Sequence, residues 1–280
     1  MAINRVGIVG SGIIRIERRR GGGKGRMRRG VAQPFQAGAD QMLAGLKKSL
    51  DRQVSKARIE EAEAAAIAKR VTAVTELDEL ADCDLVLESI VEDLAAKQHL
   101  FAELDRICKP DTILATNTST LPVVEMAMET RRPDQVCGIH FFNPATAMTL
   151  VEVVPAITTS EATLAAAKEF VDRCGKTAVT VKDQAGFVVN ALLFPYLNNA
   201  VKLFENQVAS RRHRHRDAGS SAPMGPLELL DLVGLDTSLA ILDALYTEFR
   251  DPNYAAAPAL RRMVAAGKLG RKSGAGFYEY

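Results

Sequence analysis

The sequence predicts an α/β domain followed by an all-α domain, and three observations carry that reading. An apolar strand at the start runs into a glycine turn, strands then alternate with helical segments, and beyond Asp183 apolar positions recur at helical spacing with little strand signal. At 280 residues the chain is long enough to bury a full core and to divide into two domains. The pattern changes at Lys182-Asp183-Gln184-Ala185-Gly186, so the expected domains are residues 1–184 and 185–280.

Taken in order, Arg5 to Val9 forms a buried strand that meets Gly10-Ser11-Gly12, the sharp turn between first strand and first helix of a Rossmann unit that binds a dinucleotide. Residues 38 to 69 read as long helices, with Leu43, Leu46, Leu50, Val54 and Ile59 near helical spacing among abundant Ala, Glu and Lys. Val71 to Val74 is a short strand, Asp84 to Glu88 a clearer one, Leu94 to Ile107 a helix and Thr112 to Thr116 a further strand. This alternation implies a parallel sheet. Val136 to Phe141, Leu150 to Val154 and Thr177 to Val181 add strands to the first half. In the second half helices are expected over Phe187 to Val208, Leu227 to Val233, Ser238 to Phe249 and Pro258 to Ala266.

Composition excludes several function classes. Hydrophobic residues make up 47% of the chain and charged residues 25%, the balance of a folded globular protein. No apolar run approaches the roughly 18 residues of a membrane span. The opening Met-Ala-Ile-Asn-Arg-Val-Gly lacks the order of a signal peptide. Cys83, Cys108, Cys137 and Cys174 show neither a C-x-x-C nor a metal-ligand pattern and read as buried free thiols of a reducing cytoplasm, with no metal site expected. The formal charge of +2 comes from two arginine clusters in an otherwise acidic chain.

His140 stands in an apolar strand, Gly138-Ile139-His140-Phe141-Phe142-Asn143-Pro144, and Glu152 follows on a second apolar run, Leu150-Val151-Glu152-Val153. That pairing suits a general base with an orienting carboxylate. Taken alone, a histidine among phenylalanines is more often a core residue. Asn117-Thr118-Ser119 can end a strand and cap a helix, and Asn190 can be a cap. Read singly, Glu92, Lys97 and Lys272 are surface charges, and Ser49 and Lys56 a solvated helix face.

Together these stretches resemble the 3-hydroxyacyl-CoA dehydrogenases, and within them the short bacterial 3-hydroxybutyryl-CoA dehydrogenases, over nearly the whole length. The matching residues are Val6-Gly7-Ile8-Val9-Gly10-Ser11-Gly12, Glu88-Ser89-Ile90-Val91-Glu92 with Lys97, Ala115-Thr116-Asn117-Thr118-Ser119-Thr120-Leu121, the histidine segment and Ala185-Gly186-Phe187-Val188-Val189-Asn190. In the helical half they are Pro223-Met224-Gly225-Pro226, Asp231-Leu232-Val233-Gly234-Leu235-Asp236 and the closing stretch from Gly267 to Tyr278.

The resemblance implies reversible hydride transfer between C3 of a short 3-hydroxyacyl-CoA and a nicotinamide, with 3-hydroxybutyryl-CoA and acetoacetyl-CoA as substrates. It makes His140 the base that takes and returns the C3 hydroxyl proton, a task suited to an imidazole because its unperturbed pKa is about 6.5. Glu152 holds the ring, and Ser119 and Asn190 contact the reacting oxygen. Gly10, Gly12, Glu92, Lys97, Asn117 and Lys272 fall at cofactor positions, and Ser49 and Lys56 at positions that contact CoA. The helical half resembles a dimerisation module, which implies a homodimer with substrate in the interdomain cleft.

Two stretches depart from the pattern. The dinucleotide loop calls for a third glycine where Arg15 stands, and from Ile14 to Phe35 the chain shows neither a credible helix nor the second strand. Arg26 to Pro34 can be encoded so that reading one nucleotide later gives Gly-Cys-Asp-Val-Val-Leu-Arg-Ser, a Rossmann second strand. His213 to Ala218 can likewise be encoded so that the shifted reading gives Ile-Asp-Thr-Ala-Met, which the family carries there. Residues 14–35 and 211–222 are therefore expected to be locally frame-shifted, which makes the histidines among them poor candidates for a metal site. The same uncertainty leaves NAD and NADP both open: the written second-strand region has no acid for a ribose 2′-hydroxyl, and the shifted one ends in arginines.

The rival readings are a dehydrogenase of a 3-hydroxy acid without CoA, a non-catalytic protein on the same fold, and a nucleic-acid module resting on the arginine clusters. The joint presence of Ser119, His140, Glu152 and Asn190 argues against the second, and neither nucleic acid nor membrane is expected as a partner.

Overall fold

The computed structural model describes residues 3–10, 28–32, 36–207 and 224–280, with the backbone alone for 28–32 and 36–42. The chain divides into two compact units, Met1–Asp183 and Gln184–Tyr280.

The strands of the first unit are β1 (Arg5–Val9), β2 (Arg28–Ala32), β3 (Val71–Val74), β4 (Leu85–Glu88), β5 (Ile113–Thr116), β6 (Val136–Phe141), β7 (Leu150–Pro155) and β8 (Thr177–Thr180). They form one eight-stranded sheet in the order β3-β2-β1-β4-β5-β6-β7-β8. Two sequence expectations are corrected here. The second strand is present in the written chain, its backbone pairing parallel to β1 (Gly7↔Gly30) and to β3 (Gly30↔Thr72). Its neighbours supply ladder partners on both sides, and that tertiary setting overrides the weak β-propensity of Arg28-Arg29-Gly30. The sheet is also mixed: β6 and β7 pair antiparallel, because the segment between Phe141 and Leu150 is too short for the crossover that a parallel pair needs.

The helices of this unit are α1 (Gln36–Ser55), α2 (Glu61–Ala68), α3 (Leu94–Ile107), α4 (Val123–Ala127) and α5 (Glu161–Arg173). Asp93 starts α3 by accepting the Ala96 amide at 2.8 Å, and Ser160 caps α5 through the Thr163 amide. The strand period of two sends Val6, Ile8, Leu85, Leu87, Ile113, Ala115, Ile139 and Val153 to one face, where they pack with Ala167, Phe170 and Val171 of α5. Gly138 faces the other way, and a Cβ there would lie 2.9 Å from Val154 and 3.1 Å from Val123. His140, two residues on, shares that side of β6.

The second unit is helical: α6 (Val189–Glu205), α7 (Pro226–Val233), α8 (Leu235–Phe249) and α9 (Pro258–Ala265). Phe194, Leu197, Val201, Leu230, Leu242, Leu245, Leu260 and Phe277 fill its core. Asn198, inside that core, donates to the Ala255 carbonyl and accepts the Ala257 amide, both at 2.8 Å, which ties α6 to the start of α9. Asp231 receives the amides of Phe277 and Tyr278 at 2.8 Å and so anchors the C-terminal turn. Among the described residues no helix is long and apolar enough to cross a membrane, and no group of three or more His, Cys, Asp or Glu is placed to hold a metal ion.

Candidate active site

The strand order reverses between β1 and β4, with β2 and β3 on one side and β5 on the other. In a doubly wound sheet the crevice at this switch, beyond the carboxyl ends of the strands, is where a dinucleotide binds. Gly10 closes β1 there with φ of 132°, and a Cβ on it would stand 2.1 Å from the Ser89 carbonyl oxygen. Only glycine lets these two strand ends meet. Gly12 and Arg15 lie outside the described residues, as do the expected frame-shifted segment at 211–222 and nearly all of 14–35 apart from β2.

Beside Gly10, a charged network fastens the ends of β4 and β5. Lys97 is fully buried on α3 and gives its ammonium to Glu88 Oε1 at 2.6 Å and to Glu92 Oε2 at 3.3 Å. It is therefore not the surface charge that its isolated sequence context suggests. Glu92 Oε1 accepts the Thr118 hydroxyl at 2.5 Å and the Ser119 amide at 2.9 Å. Burial pushes the Glu92 carboxyl up, but the Lys97 ammonium with the bonds from Thr118 and Ser119 outweighs it and holds the group below the usual carboxylate range. Asn117 donates to the Ser89 hydroxyl at 3.2 Å and accepts the Phe141 amide at 2.8 Å, linking β4, β5 and the residue next to His140.

His140 and Glu152 are directly opposed across the β6/β7 ladder. The imidazole Nδ1 lies 2.8 Å from Glu152 Oε2, and both side chains are buried. The Phe142 ring stacks obliquely on the imidazole, with centroids 4.5 Å apart. An orienting carboxylate on Nδ1 directs proton exchange to Nε2, the arrangement of a general acid and base. Three cysteines of this unit do no such work: burial pushes the thiols of Cys83 and Cys137 to about 12 and of Cys108 to about 11, so they stay protonated near neutrality.

Ser49 and Lys56 line one groove of about 1510 Å³ within the first unit. Lys48, Arg52 and Arg58 also line it, together with Glu169, Asp172 and Arg173 at the end of α5, Lys176 beyond it, and Pro144 and Thr146 to Thr149 from the segment between β6 and β7. Lys176 holds this segment by donating to the carbonyls of Ala145 at 2.6 Å and Met148 at 2.8 Å. The groove thus couples a basic helix end to the loop that joins His140 to Glu152.

In the second unit Asn190 is the second residue of α6, after Val188 at the cap, so it is buried helix interior and not a cap. Lys272 pairs with Asp236 at 2.5 Å, beside Gly234. Thr118 is no helix cap either: its hydroxyl accepts the Leu121 amide at 2.9 Å within a turn, while the first amides of α4, Val123 and Val124, donate to the Asp183 carboxylate. The first unit therefore brings together Gly10, Glu92, Lys97, Asn117 and Ser119 at the strand ends, connects them through Asn117 to His140 and Glu152, and gathers Ser49 and Lys56 in the groove. Sequence reasoning missed Glu88, Thr116 and Lys176. A carboxylate closing the apolar run Leu85-Val86-Leu87 was a signal for the first; nothing local marks the other two.

Residues 5–184 match the family description "3-hydroxyacyl-CoA dehydrogenase, NAD binding domain" and residues 186–280 match "3-hydroxyacyl-CoA dehydrogenase, C-terminal domain". A 3-hydroxybutyryl-CoA dehydrogenase from Mycobacterium tuberculosis is 44% identical over 288 aligned positions, covering 100% of this chain and 99% of the relative. One from Clostridioides difficile is 43% identical over 273 positions, covering 92% and 97%. Among solved structures, FadB2 of Mycobacterium tuberculosis superposes with a TM-score of 0.93 at 42% identity, over 100% of each chain.

Proposed function

The chain belongs to the 3-hydroxyacyl-CoA dehydrogenase family, and from that premise we propose that it interconverts 3-hydroxybutyryl-CoA and acetoacetyl-CoA at the expense of a nicotinamide dinucleotide. The observation that carries the reading is the buried His140 and Glu152 pair at 2.8 Å. A nicotinamide held at the switch-point crevice would supply the acceptor or donor of the C3 hydride. His140 takes the C3 hydroxyl proton on oxidation and gives it back on reduction, while Glu152 fixes the ring and offsets the imidazolium charge. Ser119 and Asn190 donate to the reacting oxygen.

Gly10 at the switch-point crevice, with Glu92, Lys97, Asn117 and Lys272, forms the cofactor set. The sequence Ala32-Gln33-Pro34-Phe35 that ends and follows β2 carries no carboxylate to hold a ribose 2′-hydroxyl, so NADP is admitted beside NAD. The basic groove with Ser49 and Lys56 suits the phosphates of CoA, which favours a CoA thioester over the free 3-hydroxy acid. The buried free thiols fit a reducing cytoplasm. Val188 at the cap of α6 and Leu192, Tyr196 and Leu203 within it expose 45 to 72% of their surface on one helical face, which supports a homodimer through the second unit. Assay of acetoacetyl-CoA beside free acetoacetate tests the substrate class: the thioester is expected to be reduced, and preference for the free acid would refute the reading.

A further inference from the structure

One buried charge in the first unit has no part in the reaction as derived so far. Glu88 closes β4 and is 0% exposed. Its Oε1 accepts the Lys97 ammonium and the Ile90 amide, each at 2.6 Å, and its Oε2 accepts the Thr116 hydroxyl at 2.7 Å. The same ammonium serves Glu92 at 3.3 Å. One cation thus stands against two carboxylates, and the cluster carries a net formal charge of minus one. A burial this costly persists only where partners satisfy it, and here every donor belongs to an element end facing the crevice.

The strand order fixes which end of the crevice this is. A dinucleotide's adenosine ribose is read at the end of β2, on the far side of β1, so the second nucleotide lies toward the ends of β4 and β5, which Glu88 and Thr116 close. The nicotinamide ring is cationic when oxidised and neutral when reduced. A fixed negative charge at this end therefore acts on one redox form and not on the other, and does so with little screening.

We infer that Glu88 is a positioning residue whose charge, by making Lys97 serve two carboxylates, biases this site toward the oxidised form of the bound nicotinamide. The inference rests on the dehydrogenase reading above. A simple brace would behave differently: loss of Glu88 would then loosen Lys97 and Glu92 and weaken both redox forms alike.

The test is the ratio of dissociation constants for the oxidised and reduced nucleotide, measured by calorimetry without acyl substrate, in the wild type, Glu88→Gln and Glu88→Asp. Glu88→Gln is expected to weaken the oxidised form about tenfold relative to the reduced, and Glu88→Asp, which keeps the charge, to hold the wild-type ratio. Equal weakening of both forms by Glu88→Gln, or no change, would overturn the inference. Should Glu88→Gln not fold, Glu88→Gln with Lys97→Met removes both partners and keeps the net charge; because Lys97 belongs to the cofactor set, both forms are then expected to bind more weakly. The ratio should then stay within about twofold of wild type, and a tenfold shift would overturn the inference. A folded wild type that binds neither form would instead refute the dehydrogenase reading itself.

Discussion

His140 Nδ1 and Glu152 Oε2 lie 2.8 Å apart because the two residues are direct partners in the antiparallel ladder of β6 and β7. The distance is set by backbone register and not by a flexible loop, so the ring is oriented before substrate arrives. Glu152→Gln keeps the shape and removes the charge that offsets an imidazolium. It is expected to lower kcat by about a hundredfold or more while the melting transition is largely retained. A kcat near wild type in steady-state assays would show that the carboxylate does not support the base.

Lys97 holds two carboxylates from a position with 1% side-chain exposure. Lys97→Met leaves Glu88 buried without its cation, and the expected loss in urea unfolding is about 3–5 kcal/mol. The double change Glu88→Gln with Lys97→Met should recover most of that loss. A single variant as stable as wild type would mean that the network is not what fastens β4 to β5.

Acid stability follows from Glu92. Its carboxyl titrates below its ordinary value of 4.5, because the Lys97 ammonium and the bonds from Thr118 and Ser119 outweigh burial. A depressed folded pKa contributes stability that is full above the unfolded value and is lost as pH falls through the folded one. Glu92→Gln is therefore expected to be less stable than wild type at neutral pH. The two stability curves, followed by urea unfolding, should converge as pH falls below 4.5, and parallel curves would contradict the assignment.

The groove offers a test that leaves the chemistry untouched. Lys56 lines it with Lys48, Arg52 and Arg58. Lys56→Glu is expected to raise KM for acetoacetyl-CoA about five- to tenfold, with the KM for nucleotide unchanged, since exposed charges act through modest, screened attractions. An acetoacetyl pantetheine thioester, which lacks the phosphates, should show no such rise.

Much of this was legible in the sequence, because strong apolar runs bounded by polar turns leave little choice. β3, α3 and β6 fall where Val71 to Val74, Leu94 to Ile107 and Val136 to Phe141 place them. The helix α5 is less evident, although Ser160 and the spacing of Ala166, Ala167, Phe170 and Val171 mark it, since its alanines weaken the hydrophobic contrast. The second strand was obscured for a different reason: Arg28-Arg29-Gly30 has poor strand propensity, and only its place between β1 and β3 makes it one. At the site, the His140 and Glu152 pairing follows from two apolar runs brought into register. The service of Lys97 to Glu88 and Glu92 does not, because one of those carboxylates is nine positions away and folded over a helix start.

The central claim is that His140 exchanges a proton with a short acyl-CoA while hydride passes to or from a nicotinamide. Its most direct test is acetoacetyl-CoA-dependent oxidation of NADH and of NADPH, followed by loss of absorbance for the wild type and His140→Ala. Oxidation of at least one nucleotide by the wild type is expected, with a fall of about a hundredfold or more in the folded variant. Equal rates in the two proteins, or no oxidation of either nucleotide by folded wild type, would contradict it.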